Sequence, residues 1–303
     1  MDSFIWIVIG VIVAVAIVVV AVLLLQRSDK KAAEQKAAAE RELQAQQERA
    51  RQAQAQLAAE NQRRYEEAKR QREAYIAHRQ AQFIAELEAI PTVPIKLSTE
   101  RYSRRPVRDI PEVKFAGITK RTNPLSFASF VVVDVETTGL KMTSKIVELS
   151  AIRFEGQEPV EKFSTLINPE IHIPEEASRI NKITDEMVAD APQIWEVMPA
   201  FREFVGSLPI VGHNLPFDLE FLYMFGFDLL DPPRKYFDTL QIAKTCLRKP
   251  RNDEDFEYDV YDYSLLSLCE HYNIAIVGSH RSAADCLATG RVFNELVKQK
   301  MYH

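Results

Sequence analysis

Twenty-two consecutive residues, Phe4 to Leu25, carry no charge, and apart from Gly10 all are Ala, Val, Ile, Leu, Phe or Trp. A helix of about 20 such residues spans a bilayer core and satisfies its own backbone hydrogen bonds there. A helix buried in a soluble domain keeps a polar stripe, and this run has none. A cleaved signal has a shorter apolar core and a basic start, whereas only Asp2 precedes this one. The sequence therefore predicts a retained anchor over residues 1–26, touching the lipid bilayer through residues 4–25. Arg27, Lys30 and Lys31 follow the run and no Lys or Arg precedes it. The excess of positive charge on that side predicts that the rest of the chain lies in the cytoplasm.

Composition then changes twice. Residues 27–90 lack Gly and Pro and are dominated by Ala, Gln, Glu, Arg and Lys, all strong helix formers. They predict a long polar helix, a stalk or loose coiled coil through which a second copy could associate. Ile76, Phe83, Ile84 and Leu87 make one apolar stripe near its end, to be covered by the following domain or by a second copy. Residues 91–124 hold Pro91, Pro94, Pro106, Pro111 and Pro124, with eight Lys/Arg against three Asp/Glu. This reads as a basic linker, with Arg101, Arg104, Arg105 and Arg108 available to nucleic acid or anionic headgroups. Residues 125–303 have globular composition and carry the acidic excess of a chain whose net charge is −5. Three cysteines, none in a Cys-x-x-Cys pair, argue against a disulfide framework or a structural zinc site.

Within the globular part, residues 130–136 read F-V-V-V-D-V-E. A continuous apolar run of this length is a buried central strand. Asp134 and Glu136 are two apart and so share one face of it. Paired carboxylates repel unless a positive charge lies between them, and the T-T-G-L that follows closes the strand beside a loop. The segments Lys145–Gly156 and E-K-F-S-T-L-I-N-P extend the strand into a three-strand meander. Helical signals follow, then a short strand at L-P-I-V-G-H-N. The next helix, capped by Asn214 with Pro216 in its first turn, carries Asp218. Alone, Asp218 could simply favour the helix dipole. A last helix, beginning at Ser279 or His280, has Asp285 on an Ala-rich face, where an acid needs a partner. A histidine at the helix mouth can take a proton from water.

D-x-E-T-T-G, H-N-x-x-F-D and H-x-x-x-x-D, in this order, resemble the DEDDh family of 3′→5′ exonucleases, which includes the proofreading epsilon subunit of bacterial DNA polymerase III and RNase T. The resemblance covers about residues 127–300. It implies an α/β, ribonuclease H-like fold with a mixed five-stranded sheet and flanking helices, preceded here by a transmembrane helix and the long polar helix. It implies that Asp134, Glu136, Asp218 and Asp285 ligate two Mg2+ (or Mn2+) and that His280 is the general base. Thr137, Thr138, Gly139, Leu140, His213, Asn214 and Phe217 would hold the nucleic acid, a single-stranded 3′ end. The implied activity is release of nucleoside monophosphates from DNA or RNA, on the inner (cytoplasmic) membrane of a bacterium, with a single pass. An inactive exonuclease-like domain serving as a tethered nucleic-acid-binding scaffold is the alternative, and five intact site residues count against it. The acidic segment 252–262 departs from the family pattern and leaves substrate choice open.

Overall fold

A computed structural model describes residues 2–250, 257–278 and 280–302, with the side chains of residues 2–8, 11, 12, 14, 16 and 32 outside the description. The chain divides into two compact units, Met1–Ala74 and Tyr75–His303. Helix α1 (Asp2–Ala89) makes up the first unit and opens the second. It persists because its polar stretch contains no helix breaker and carries pairs such as Glu60–Arg64, one turn apart at 2.7 Å. Among the described residues no helix is long and apolar enough to cross a membrane. The anchor expected at residues 4–25 falls partly outside them.

The second unit is organised by β1 (Ser129–Thr137), which contains the apolar run. β1 pairs antiparallel with β2 (Ile146–Glu155), and β2 pairs antiparallel with β3 (Glu158–Leu166). Three helices follow, α2 (Glu175–Asn181), α3 (Asp185–Val188) and α4 (Ile194–Val205). β4 (Ile210–Gly212) then pairs parallel with the other side of β1. α5 (Leu215–Met224) leads to β5 (Tyr236–Asp238), parallel to β4. The remaining helices are α6 (Thr239–Ala243), α7 (Leu265–His271) and α8 (Ser282–Tyr302). The sheet order β3-β2-β1-β4-β5 is the mixed, five-stranded, ribonuclease H-like arrangement.

Side-chain alternation along β1 assigns each face of the sheet. Phe130 and Val132 enter the core shared with α8, including Leu287, Val292 and Phe293. Val131, Val133 and Val135 enter the opposite core with α4 and α5, including Phe201, Leu219 and Phe221. Asp134 and Glu136 have the parity of Phe130 and Val132, so they face the α8 side. Helix α8 lies unusually close to the sheet. A Cβ placed on Gly290 would come within 2.2 Å of the Phe154 ring, so only glycine permits this approach.

The Pro-rich stretch read as a linker is laid along the second unit. Val93 N–H donates to Lys162 O at 2.9 Å, which pairs the stretch with the free edge of β3. Ala116 N–H donates to Tyr236 O at 2.7 Å, covering the β5 edge. The stretch thus meets each edge strand of the sheet at one bridge, at Lys162 on β3 and at Tyr236 on β5. Between these points the Arg101 guanidinium lies 4.9 Å above Trp195, and Tyr102 OH donates to Phe225 O at 2.5 Å. The apolar stripe at the end of α1 also finds its cover in this unit. Phe83 is buried in the α8-side core and Leu87 is half-buried against it, while Ile76 and Ile84 stay exposed.

Candidate active site

Three elements bring the acidic residues together. The C-terminal half of β1 carries Asp134 and Glu136, α5 carries Asp218, and α8 carries Asp285, with His280 in the turn before it. The expected helix start at Ser279 or His280 is corrected to Ser282, because His280 takes a left-handed conformation (φ 66°) that no helix continues. Potential ligand atoms of Glu136, His280 and Asp285 all lie within 4.8 Å of one another. Asp218 Oδ1 accepts the Val135 N–H at 2.9 Å, which holds it against the backbone between the two strand carboxylates. Asp285 Oδ2 accepts the His280 N–H at 2.8 Å, so the acid fixes the turn that presents the imidazole.

Burial, and repulsion from neighbouring acids, raise every one of these carboxyls. Asp134 is pushed well above the carboxylate range by burial first, then by Asp218, Asp285, Glu136 and Glu148. Burial, then Asp285 and Glu148, pushes Glu136 up to about 8. Asp218 is also raised to about 8, chiefly by burial, against the Val135 N–H that lowers it. Asp285 reaches about 7 through burial, opposed by its bond from His280. Its Oδ1 is buried and has no hydrogen-bond partner among the described residues. Four convergent carboxylates with an orphaned oxygen form a donor set that a hard divalent cation fits, since such an ion takes oxygen ligands and cancels their repulsion.

Two residues of this neighbourhood were not marked by sequence reasoning. Glu148, buried on β2 directly opposite Glu136, accepts from Arg281 Nη2 at 2.7 Å and from Ser282 N–H at 2.8 Å. A like-charged cross-strand pair is unfavourable by itself. The Arg281 guanidinium offsets it and ties the start of α8 to the sheet. Ser282 Oγ donates to Ser150 Oγ at 2.7 Å, a second tie between the same elements. The signal for Glu148 was a lone acid inside the apolar K-I-V-E-L-S run. Nothing local pointed to its partner 133 residues away.

The residues expected to hold substrate separate into two kinds. Thr137 and Thr138 are buried and shape the turn after β1: Thr137 Oγ1 donates to Gly139 O at 2.7 Å, and Thr138 Oγ1 accepts the Lys145 N–H at 3.0 Å. Leu140 stands out from that turn, 84% exposed. His213 Nδ1 lies 2.9 Å from Thr239 Oγ1, and burial lowers its pKa to about 4, so the ring is neutral at physiological pH. Asn214 does not cap α5 with its side chain. It adopts a left-handed conformation (φ 59°), and its N–H donates to Asp238 Oδ1 at 2.9 Å. Phe217 is half-buried, its ring 4.9 Å from Phe221. The acidic stretch expected at 252–262 falls in part outside the described residues.

A family model described as "Exonuclease" (RNase T) matches residues 131–293, more than half of the chain. The chain belongs to the exonuclease family. This exonuclease is 35% identical over 175 residues to the PolC-type DNA polymerase III of Oceanobacillus iheyensis, covering 56% of the present chain. It is 34% identical over 179 residues to the Staphylococcus aureus counterpart, covering 58%. The match spans 12% of the length of each of these relatives. Among solved structures, exonuclease X in complex with 5′ overhanging duplex DNA aligns with 57% of the chain and 94% of its own, at 24% identity and a TM-score of 0.44. Exonuclease I aligns with 57% of this exonuclease and 41% of its own chain, at 19% identity and a TM-score of 0.49. The matched segment begins inside β1 and ends inside α8, so it takes in all five expected site residues. The enzyme is a nuclease.

Proposed function

We propose that this exonuclease removes nucleoside monophosphates from the 3′ ends of nucleic acid, using two divalent cations, and that it is tethered to a membrane by its N-terminal segment. The observation that carries the reading is the convergence of Asp134, Glu136, Asp218 and Asp285 from three separate elements, each raised chiefly by burial and further by neighbouring acids. Those four residues would hold Mg2+ or Mn2+. When bound, such ions acidify water and stabilise the oxygen that leaves. His280, on the exposed side of the cluster, is placed to take the proton from the attacking water. Asp285 serves His280 as well as the cations, because its second oxygen holds the His280 backbone. Leu140, exposed in the turn after β1, packs on the terminal base, while neutral His213 and Phe217 contact the strand without reading sequence.

DNA is the favoured substrate, because the curated relatives are DNA polymerases. The proposed tether draws its support from the uncharged run Phe4–Leu25, and the basic residues behind it favour a catalytic unit on the cytoplasmic side of a bacterial membrane. One experiment tests activity and polarity. The full chain, in detergent with Mg2+, is given single-stranded DNA and RNA blocked at either the 3′ or the 5′ end. The reading expects mononucleotide release that a 3′ block stops and a 5′ block leaves alone. Degradation that proceeds past a 3′ block contradicts it. Cell fractionation tests the tether: the protein is expected in the membrane pellet after a high-salt wash, and full release by salt would contradict anchoring by residues 4–25.

A further inference from the structure

The family match begins at residue 131, yet a residue well before it reaches the loop that closes β1. Arg104 lies in the strap of residues 91–118 that crosses the second unit. Its guanidinium donates through Nη2 to the Met142 carbonyl and sits 5.2 Å above the Phe225 ring. Nη2 also lies 3.1 Å from Met224 Sδ. Met142 belongs to the loop between β1 and β2, two residues after Leu140 and three before Lys145. The loop is closed at its base, where Thr138 N–H donates to Lys145 O at 2.8 Å and Lys145 N–H donates to Thr138 Oγ1 at 3.0 Å. Lys145 Nζ lies 5.7 Å above the same Phe225 ring. Base and middle of the loop thus converge on one aromatic platform at the end of α5, where Arg104 joins the strap to the loop beside the strap's own Tyr102 bond to Phe225 O.

The cost of this arrangement marks it as more than a surface contact. Arg104 Nε is buried and has no hydrogen-bond partner among the described residues, and burial lowers the guanidinium pKa. A half-buried arginine with one donor shut away from water and unsatisfied carries a cost that its remaining bonds must offset by fixing something. Here they fix the carbonyl of a loop whose neighbouring side chain, Leu140, is 84% exposed.

We propose that Arg104 is a positioning residue for substrate binding: from the N-terminal strap it clamps the Leu140 loop in the position that receives the terminal nucleotide. The inference rests on the reading of that loop as substrate-facing. It makes the strap a working part of the enzyme, outside the segment 131–293 that the family model matches.

The test uses the full chain, Mg2+ and a 3′-labelled single-stranded DNA, with KM and kcat measured for Arg104→Met, Leu140→Ala and the double variant. Methionine keeps the apolar contact over Phe225 and removes the donor, so the strap stays packed. Loss of a charged hydrogen bond that orders the loop is expected to raise KM about tenfold, with kcat changed less than about twofold. In the Leu140→Ala background the Arg104 change is expected to add little, because the clamp acts through Leu140. Tyr102→Phe is the control: it removes the neighbouring strap bond to Phe225 O without touching the loop, and is expected to lower Tm with KM unchanged. A raised KM in Leu140→Ala with an unchanged KM in Arg104→Met overturns the clamp alone. An unchanged KM in Leu140→Ala overturns the clamp together with the assignment of the loop. Multiplicative effects in the double variant, or the same KM rise in Tyr102→Phe, also overturn it, since either reduces Arg104 to general packing.

Discussion

Replacing one acid of the cluster is expected to stabilise the cation-free enzyme. Asp218→Asn is the clearest case, because Asn keeps an Oδ1 for the Val135 N–H while removing the charge. The folded-state pKa of Asp218 stands at about 8 against an ordinary 3.8. Between those values the folded protein holds a proton that the unfolded chain has lost, so stability falls as pH rises from about 4 to about 8. At pH 7 roughly three units of that window have been crossed, at about 1.4 kcal/mol each, a cost of about 4 kcal/mol. Burying the new amide with one bond to Val135 returns about 1 kcal/mol of it. Relief is also shared, since a proton on any one acid eases its neighbours, so the net gain is on the order of 1–3 kcal/mol. For a folded unit of this size that raises Tm by about 3–10 °C. Thermal unfolding in EDTA, at pH 5 and at pH 7.5, measures it. The expected result is a gain that is larger at pH 7.5, together with a smaller Mg2+-induced rise in Tm than the unsubstituted enzyme shows. A variant no more stable than the parent at pH 7.5 would refute the burial and crowding of negative charge on which the cation site is argued.

His280→Ala is expected to lower kcat by about 10²–10⁴ while the Mg2+-induced rise in Tm persists; loss of that rise would make His280 a ligand instead of a base. Arg281→Ala leaves Glu148 buried and unpaired opposite Glu136, and is expected to cost about 2 kcal/mol in denaturant unfolding, reduced from the fully buried case because Arg281 is 40% exposed. Gly290→Ala forces a methyl group into the Phe154 ring, and is expected to cost about 1–3 kcal/mol even though alanine favours the helix by about 1 kcal/mol; a stabilised variant would show that α8 can back away from the sheet.

How much of this the sequence carried depended on whether the signal was local. Asp134 and Glu136 stood out because charges inside a buried run demand a reason, and their shared face followed from strand parity alone. β5 went unmarked because three residues are too few to show a period. Asp218 and Asp285 were ordinary helix acids until the fold placed them beside β1. The Glu148–Arg281 pair was invisible because its partners meet only in space, and the strap's packing was not legible because proline density shows no hydrophobic period. In fact the strap's backbone bonds go to the sheet edges and to the end of α5, where no hydrophobic periodicity is needed to hold it. The apolar stripe at the end of α1 was legible as a buried face, but its cover was not. Phe83 and Leu87 found that cover within the same unit.

Asp134→Ala asks whether the four carboxylates act through divalent cations on a 3′ end. Release of labelled mononucleotide from 3′-labelled single-stranded DNA is measured for the full-length enzyme and the variant, each with Mg2+ and with EDTA. Release is expected only from the unsubstituted enzyme with Mg2+, with a fall of at least about 10³ in the variant even though it stays folded. Undiminished release by Asp134→Ala, or release by the parent enzyme in EDTA, would contradict it.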